Sequence, residues 1–158
     1  MIKPLITIRS SRPGDLAEVQ RMFAETVSTV CKDDYSEEQI LAWVSSIENT
    51  RRWMEKLTSQ YFLIADYENR IVGFASLEDH DCIDLLYVHK DFQRQGIADR
   101  LYSDIEKEAI KRGVNLLTSV VSITARPFFQ KKGFETVKKQ TNVIHGVEFT
   151  NFKMMKSS

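Results

Sequence analysis

The chain has 158 residues, 22 Lys+Arg balanced by 22 Asp+Glu, and 42% hydrophobic residues, the composition of one soluble domain over 1–158 with enough apolar material for a core. A formal charge of zero argues against a general nucleic-acid binder, because neutralising phosphates requires clustered excess Lys and Arg. Two cysteines, Cys31 and Cys82, are too few and too distant for a disulfide framework or a paired-thiol metal site, so no metal and a reducing, cytoplasmic setting are expected.

The start Met1–Arg9 is broken by Pro4 and by charges, and no run approaches the ~18 apolar residues of a membrane span, so no membrane association is expected. Leu5–Arg9 reads as a short strand. Pro13-Gly14-Asp15 then opens a segment with apolar residues at 16, 19, 23, 27 and 30, which is one face of a helix. Ser36-Glu37-Glu38-Gln39 has the form of a capping box, so a second helix starts near Ser36, and a third, short one is expected from Thr50. The texture changes at Tyr61–Tyr67 and Arg70–Leu77, two strands at hairpin spacing, followed by a third at Cys82–Val88. Beyond it come a helix over about 96–112, a strand over 116–122, a helix over 125–132, and strands over 134–139 and 148–155. Gly113 and Gly133 just past the two helices suit left-handed C-terminal caps. The chain is α+β or mixed α/β, with helices first, then a meander, then a crossover.

The most informative stretch is Leu85–Ala98, where a buried strand runs into a short basic loop with Gly96 at the mouth of a long helix. The first N–H groups of a helix have no intrahelical partner, and the macrodipole adds roughly half a positive charge there, so a phosphate can be bound by backbone alone. Gly96 and Ala98 are small enough to let a pyrophosphate approach, while Arg94 and Lys90 add charge. The alternative reading of the loop is a plain helix start. A P-loop and a dinucleotide fold are excluded, since neither of their glycine patterns occurs.

These residues resemble the GNAT (Gcn5-related) N-acetyltransferases. That family's acetyl-CoA motif reads Gln/Arg-x-x-Gly-x-Gly/Ala after a strand ending in Val; Val88 and Gln93-Arg94-Gln95-Gly96-Ile97-Ala98 match it. A second motif, Asn-x-x-Ala-x-x-Phe-Tyr followed by Gly-Phe, is matched by Ser122 to Phe129 and Gly133-Phe134. Tyr35-Ser36, Trp43 and the ending from Phe149 look most like the bacterial YafP-like subgroup. The resemblance implies a mixed, twisted sheet of six or seven strands, flanked by helices and splayed where the strands of Val88 and Ser122 part, with acetyl-CoA as cosubstrate in the cleft. It implies that Leu86, Tyr87 and Val88 pair with the pantetheine, that Arg94 to Ala98 hold the pyrophosphate, and that the Val88 amide faces the thioester oxygen, where charge develops. Ser122, Arg126 and Phe129 would border the cofactor.

An acceptor amine with a pKa of ~10.4 is almost wholly protonated at pH 7, so a base must take its proton. His80 and Asp84 stand at plausible offsets, and an imidazole is ordinarily poised to accept a proton near neutrality. Asp84 shares a face with Leu86 and Val88 by strand alternation if no bulge intervenes. The alternative for His80 is a solvated turn residue, for Glu78, Asp79 and Asp81 a solvated loop, and for Cys82 a small core residue. Phe129 stands where the family usually has a Tyr that protonates the leaving sulfur, which leaves the acid unassigned and keeps open an acyl-CoA-binding module without turnover. Tyr35, Trp43 and Trp53 are expected either to wall an acceptor pocket or to pack in the core. The acceptor is expected to be a small-molecule or peptide amine, and a homodimer is compatible with the sequence. Residues 1–88 carry a net −6 and residues 89–139 a net +5; the resemblance puts the polyanionic cofactor at the basic middle and the acceptor at the acidic first part, which predicts an acceptor that is cationic before deprotonation.

Overall fold

The alternating segments expected as a meander pair as antiparallel neighbours at the centre of a seven-stranded sheet. The structure is a computed structural model that describes residues 5–157. In chain order its elements are β1 (Thr7–Ser10), α1 (Leu16–Val30), α2 (Glu37–Val44), α3 (Thr50–Ser59), β2 (Tyr61–Tyr67), β3 (Arg70–Glu78), β4 (Cys82–Val88), α4 (Ile97–Lys111), β5 (Leu116–Ser122), α5 (Arg126–Lys131), β6 (Glu135–Ile144) and β7 (Val147–Ser157). The strand order is β1-β2-β3-β4-β5-β7-β6, and only the β4–β5 pair is parallel. This is the mixed α/β sheet with flanking helices expected from the sequence. The break at Pro4 lies outside the described residues, and the first strand begins at Thr7, two residues later than read.

Each face of the sheet has its own apolar cluster, as period-2 strands buried on both sides require. Val19, Phe23 and Val27 of α1 and Trp53 and Leu57 of α3 cover Phe62, Ile64, Phe74 and Leu85. On the other face, Ile97, Leu101 and Ile105 of α4 and Phe129 of α5 cover Val72, Ala75, Leu77 and Val88. Gly73 permits the close approach of α4: a Cβ there would stand 3.0 Å from Ile97 Cγ2 and 3.2 Å from a Leu101 methyl. The predicted capping box forms, with Ser36 Oγ accepting from the Gln39 N–H at 3.1 Å and Gln39 Oε1 accepting from the Ser36 N–H at 2.8 Å. Gln39 Nε2 also donates to the Glu148 carbonyl, which pins α2 to β7.

The last two strands run longer than predicted and form one hairpin, turning at His145 and Gly146, both with positive φ. Gln140, Thr141 and Asn142 hid the extension: they are polar, and that part of β6 is largely exposed, so no alternation marks it.

Candidate active site

β4 and β5 are paired only at Cys82–Thr118 and Ile83–Ser119, after which the two strands part. Asp84 marks the divergence. Ser76 pairs with Leu85 and Leu77 with Ile83, so Asp84 is the extra residue of a bulge in β4. Past it, the His89 N–H donates to the Val72 carbonyl at 2.8 Å, towards β3. By alternation the N–H groups of Leu86 and Val88 point the other way, into the gap that β5 has left. A cavity of about 220 Å³ fills this gap, lined among others by Asp84, Leu86, Tyr87, Ser122, Phe129 and Tyr35.

The loop leaving β4 is built by local bonds. His89, itself buried, accepts the Asp91 N–H on Nδ1 at 3.0 Å and so caps a 3-10 turn at Lys90–Phe92. Gln93 folds back to donate from Nε2 to the Val88 carbonyl at 2.6 Å. Arg94 and Gly96 then take positive φ, 59° and 83°, and α4 begins at Ile97, whose side chain is 2% exposed in the core. Ile97 therefore offers the loop only its backbone. A Cβ on Gly96 would meet nothing within 4 Å, so the chain is open at the residue that precedes the orphan N–H groups of the α4 first turn. Arg94 and Gln95 are exposed and Ala98 is half-buried beside it. Leu86, Tyr87 and Val88 at the open strand edge are thus followed along the chain by Gln93 to Ala98, which lead into the N-terminus of α4.

Arg126 stands elsewhere. Its Nε donates to Thr136 Oγ1 at 3.2 Å and its guanidinium lies 4.2 Å from the centre of the Phe152 ring, on the β6–β7 side. It does not line the cleft. Ser122 does, and its Oγ accepts the Ala125 N–H at 3.1 Å, which turns the chain into α5.

The two candidate bases are separated. Asp84 Oδ2 accepts from Lys56 Nζ at 2.5 Å and from Gln60 Nε2 at 2.9 Å. Because of the bulge its side chain joins the α3 side with Leu85, not the face of Leu86 and Val88 expected from simple alternation. His80 lies in the exposed turn between β3 and β4, its Nδ1 3.5 Å from Arg112 Nη1 at the end of α4. The length of β4, about 20 Å, separates it from Val88, which matches the solvated-turn reading and not a base in the cleft. Cys82 is half-buried, and burial pushes its thiol above the ordinary range, against a nucleophilic role.

Of the three aromatic candidates, Trp43 lines both the cleft and a second, open cavity of about 970 Å³ between α2, α3 and the β6–β7 hairpin. Trp53 is 5% exposed, set edge-on to Phe23 at 4.9 Å, with Nε1 donating to the Ser46 carbonyl, so it is chiefly a core residue that forms the cavity floor. Tyr35 ties the end of β5 to β7: its hydroxyl accepts the N–H of Ile123, just past β5, at 2.9 Å and donates to the Thr150 carbonyl at 3.2 Å. Sequence reasoning missed Lys56 on α3 and Gln60 just past its end, since neither belongs to a motif. The acidic excess of the first half does not gather here. Of its carboxylates only Glu48 and Asp84 line these two cavities, against Arg52 and Lys56.

A family model described as an acetyltransferase (GNAT) domain matches residues 31–156. The chain belongs to the GNAT family. Over 149 residues, 94% of either chain, it is 38% identical to the uncharacterized N-acetyltransferase YafP of Escherichia coli K12. A Rhodopseudomonas palustris crystal structure described as a GCN5-related N-acetyltransferase (aminotransferase, class-II) superposes with a TM-score of 0.92 at 35% identity, covering 100% of this chain and 98% of that one. The PaiA N-acetyltransferase of Thermoplasma acidophilum, solved in complex with coenzyme A, shares the fold at a TM-score of 0.79 and 20% identity, with 98% and 99% of the two chains covered. As a YafP-like GNAT protein, the chain is an enzyme of the N-acetyltransferase class.

Proposed function

We propose that this GNAT enzyme transfers an acetyl group from acetyl-CoA to a primary amine of a small molecule or peptide by direct attack on the thioester. The observation that carries the reading is the open edge of β4: two N–H groups face a gap, and the chain that leaves this edge runs within nine residues to the N-terminus of α4. An extended pantetheine suits that edge as an added strand would, and the N–H groups from Arg94 to Ala98 suit a pyrophosphate. The coenzyme A in the Thermoplasma acidophilum PaiA complex supports the same choice of ligand.

Within this reading, each residue has a stated task. The Val88 N–H donates to the thioester oxygen, where negative charge grows as the amine adds. Asp84, at the boundary between cleft and second cavity, receives the amine proton. Trp43, Tyr87 and Leu85 belong to both cavities and so form the passage through which an acceptor reaches the thioester. Phe129 is buried in the cleft wall and offers shape without a proton. The free thiols Cys31 and Cys82 agree with a cytoplasmic place of action.

The test combines binding and turnover. Acetyl-CoA is expected to raise the melting temperature, and one or more members of a panel of alkylamines, arylamines and peptides is expected to release CoA thiol. A thermal shift without thiol release from any acceptor supports a module that binds acyl-CoA without turnover. No thermal shift at all removes acetyl-CoA as the cosubstrate.

A further inference from the structure

Acyl transfer from sulfur to nitrogen expels a thiolate, and a proton donor at the sulfur makes that departure easier. Hydroxyl-bearing side chains on the cleft wall come from Tyr35, Tyr87, Ser119, Ser122 and Thr150 among the described residues. Ser119 Oγ is buried and donates to the Ile83 carbonyl at 2.8 Å. Ser122 is an aliphatic alcohol, a far weaker acid than a phenol, and the same holds for Thr150. The Tyr87 ring is wedged between Phe23 and Phe74, whereas the Tyr35 hydroxyl is held by the Ile123 N–H just past β5. That leaves Tyr35, carried on the segment between α1 and α2 and set at the β5 lip of the gap.

We infer that Tyr35 is the proton donor to the departing CoA sulfur. The assignment rests on the acetyl-CoA reading of the cleft. Three observations converge on it. Tyr35 lines the cleft beside Ser122 although only 7% exposed. Its oxygen already accepts the Ile123 N–H at 2.9 Å, a donor that strengthens when the oxygen becomes anionic. Its own proton rests on the Thr150 carbonyl at 3.2 Å, a long bond that rotation about the Cζ–Oη axis breaks. Burial, partly offset by the Ile123 N–H, keeps the phenol above its ordinary range and hence protonated at neutral pH.

The exchange balances. The C–N bond forms as the C–S bond breaks, the amine proton goes to Asp84, and the Tyr35 proton goes to sulfur. Asp84 then releases its proton to water and Tyr35 takes one from water, which restores both groups. Sequence separation hides this role, because Tyr35 lies 88 residues from the Ile123 N–H that holds it.

The test measures binding of CoA and of desulfo-CoA, which lacks only the sulfur, by calorimetry, with kcat measured on the best acceptor. The parent is expected to bind CoA about 5-fold to 10-fold more tightly than desulfo-CoA, the worth of one hydrogen bond to sulfur. Tyr35→Phe is expected to bind the two equally, with desulfo-CoA affinity unchanged and kcat lowered about 100-fold. Adding Phe129→Tyr to Tyr35→Phe puts a hydroxyl back on the cleft wall and is expected to recover at least tenfold in kcat, which the loss of a merely structural tie would not allow. If Tyr35→Phe does not fold, fluorotyrosine at position 35 keeps the shape with a more acidic phenol and moves the alkaline limb of kcat to lower pH; the titratable neighbours of that hydroxyl are Cys31, Asp34 and Tyr87. Tyr35→Phe keeping the parent's preference for CoA, or an alkaline limb unmoved by fluorotyrosine, overturns the assignment alone. A parent that binds neither ligand overturns the acetyl-CoA reading and this assignment with it.

Discussion

The Lys56 ammonium on α3 and the Asp84 carboxylate at the bulge of β4 meet at 2.5 Å, and Gln60 adds a second donor to the same oxygen, Oδ2. Both donors converge on one oxygen, so Oδ1 keeps its lone pairs for an amine proton. Replacing Asp84 by Asn preserves the shape and removes the proton acceptor. The expected result is a fall in kcat of about 100-fold, with the acetyl-CoA thermal shift unchanged. A loss smaller than threefold would place the base elsewhere.

Gly73 sets how closely α4 lies on the sheet, and α4 carries the anion loop at its N-terminus. Gly73→Ala introduces a methyl 3.0 Å from Ile97 Cγ2 and 3.2 Å from the Tyr87 carbonyl, so α4 must shift. Overpacking of this kind costs about 1–3 kcal/mol. Urea unfolding is expected to show that loss, and steady-state kinetics a rise of KM for acetyl-CoA with the acceptor KM little changed.

Trp43 and Trp53 are expected to separate cleanly. Trp53→Ala empties a core position under Phe23 and should cost about 3–5 kcal/mol. Trp43 is only half-buried and borders both cavities, so Trp43→Ala should cost less stability while raising the acceptor KM about tenfold. Equal destabilisation with no change in KM would return Trp43 to the core.

Asp15 accepts two hydrogen bonds from Arg9, at 2.9 Å each, and joins β1 to the start of α1. The Arg9 hydrogen bond holds this carboxyl below its ordinary range, against an opposing effect of burial. A carboxyl lowered in the folded state adds stability above its unfolded pKa of about 3.9 and loses it as pH falls through the lower folded value. Asp15→Asn should therefore cost about 1 kcal/mol at pH 7, a modest figure because water still reaches the pair. The gap between parent and variant should close as unfolding is followed from pH 4 downwards.

The elements were largely legible because most carry their own signals. The capping box at Ser36 formed as read, and the meander strands fell where alternation put them. The second half of β6 was missed because an exposed polar strand carries no apolar alternation. His80 offered an imidazole at a plausible offset in the sequence, but a strand carries near neighbours in sequence far apart in space.

What the sequence by itself determined was the loop from Gln93 to Ala98: a glycine able to take positive φ, small neighbours and the unpaired N–H groups of a following helix are properties of consecutive residues. Only the tertiary structure decided what surrounds that loop. The bulge that turns Asp84 towards Lys56 arises from pairing with β3, and the hydroxyl of Tyr35 meets Ile123 just past β5 and Thr150 of β7, while Gln39 ties the neighbouring α2 to the same hairpin. Local backbone preferences act over a few residues, whereas a side chain's partner is set by packing between elements, here 28 residues apart for Lys56 and Asp84 and 88 for Tyr35 and Ile123.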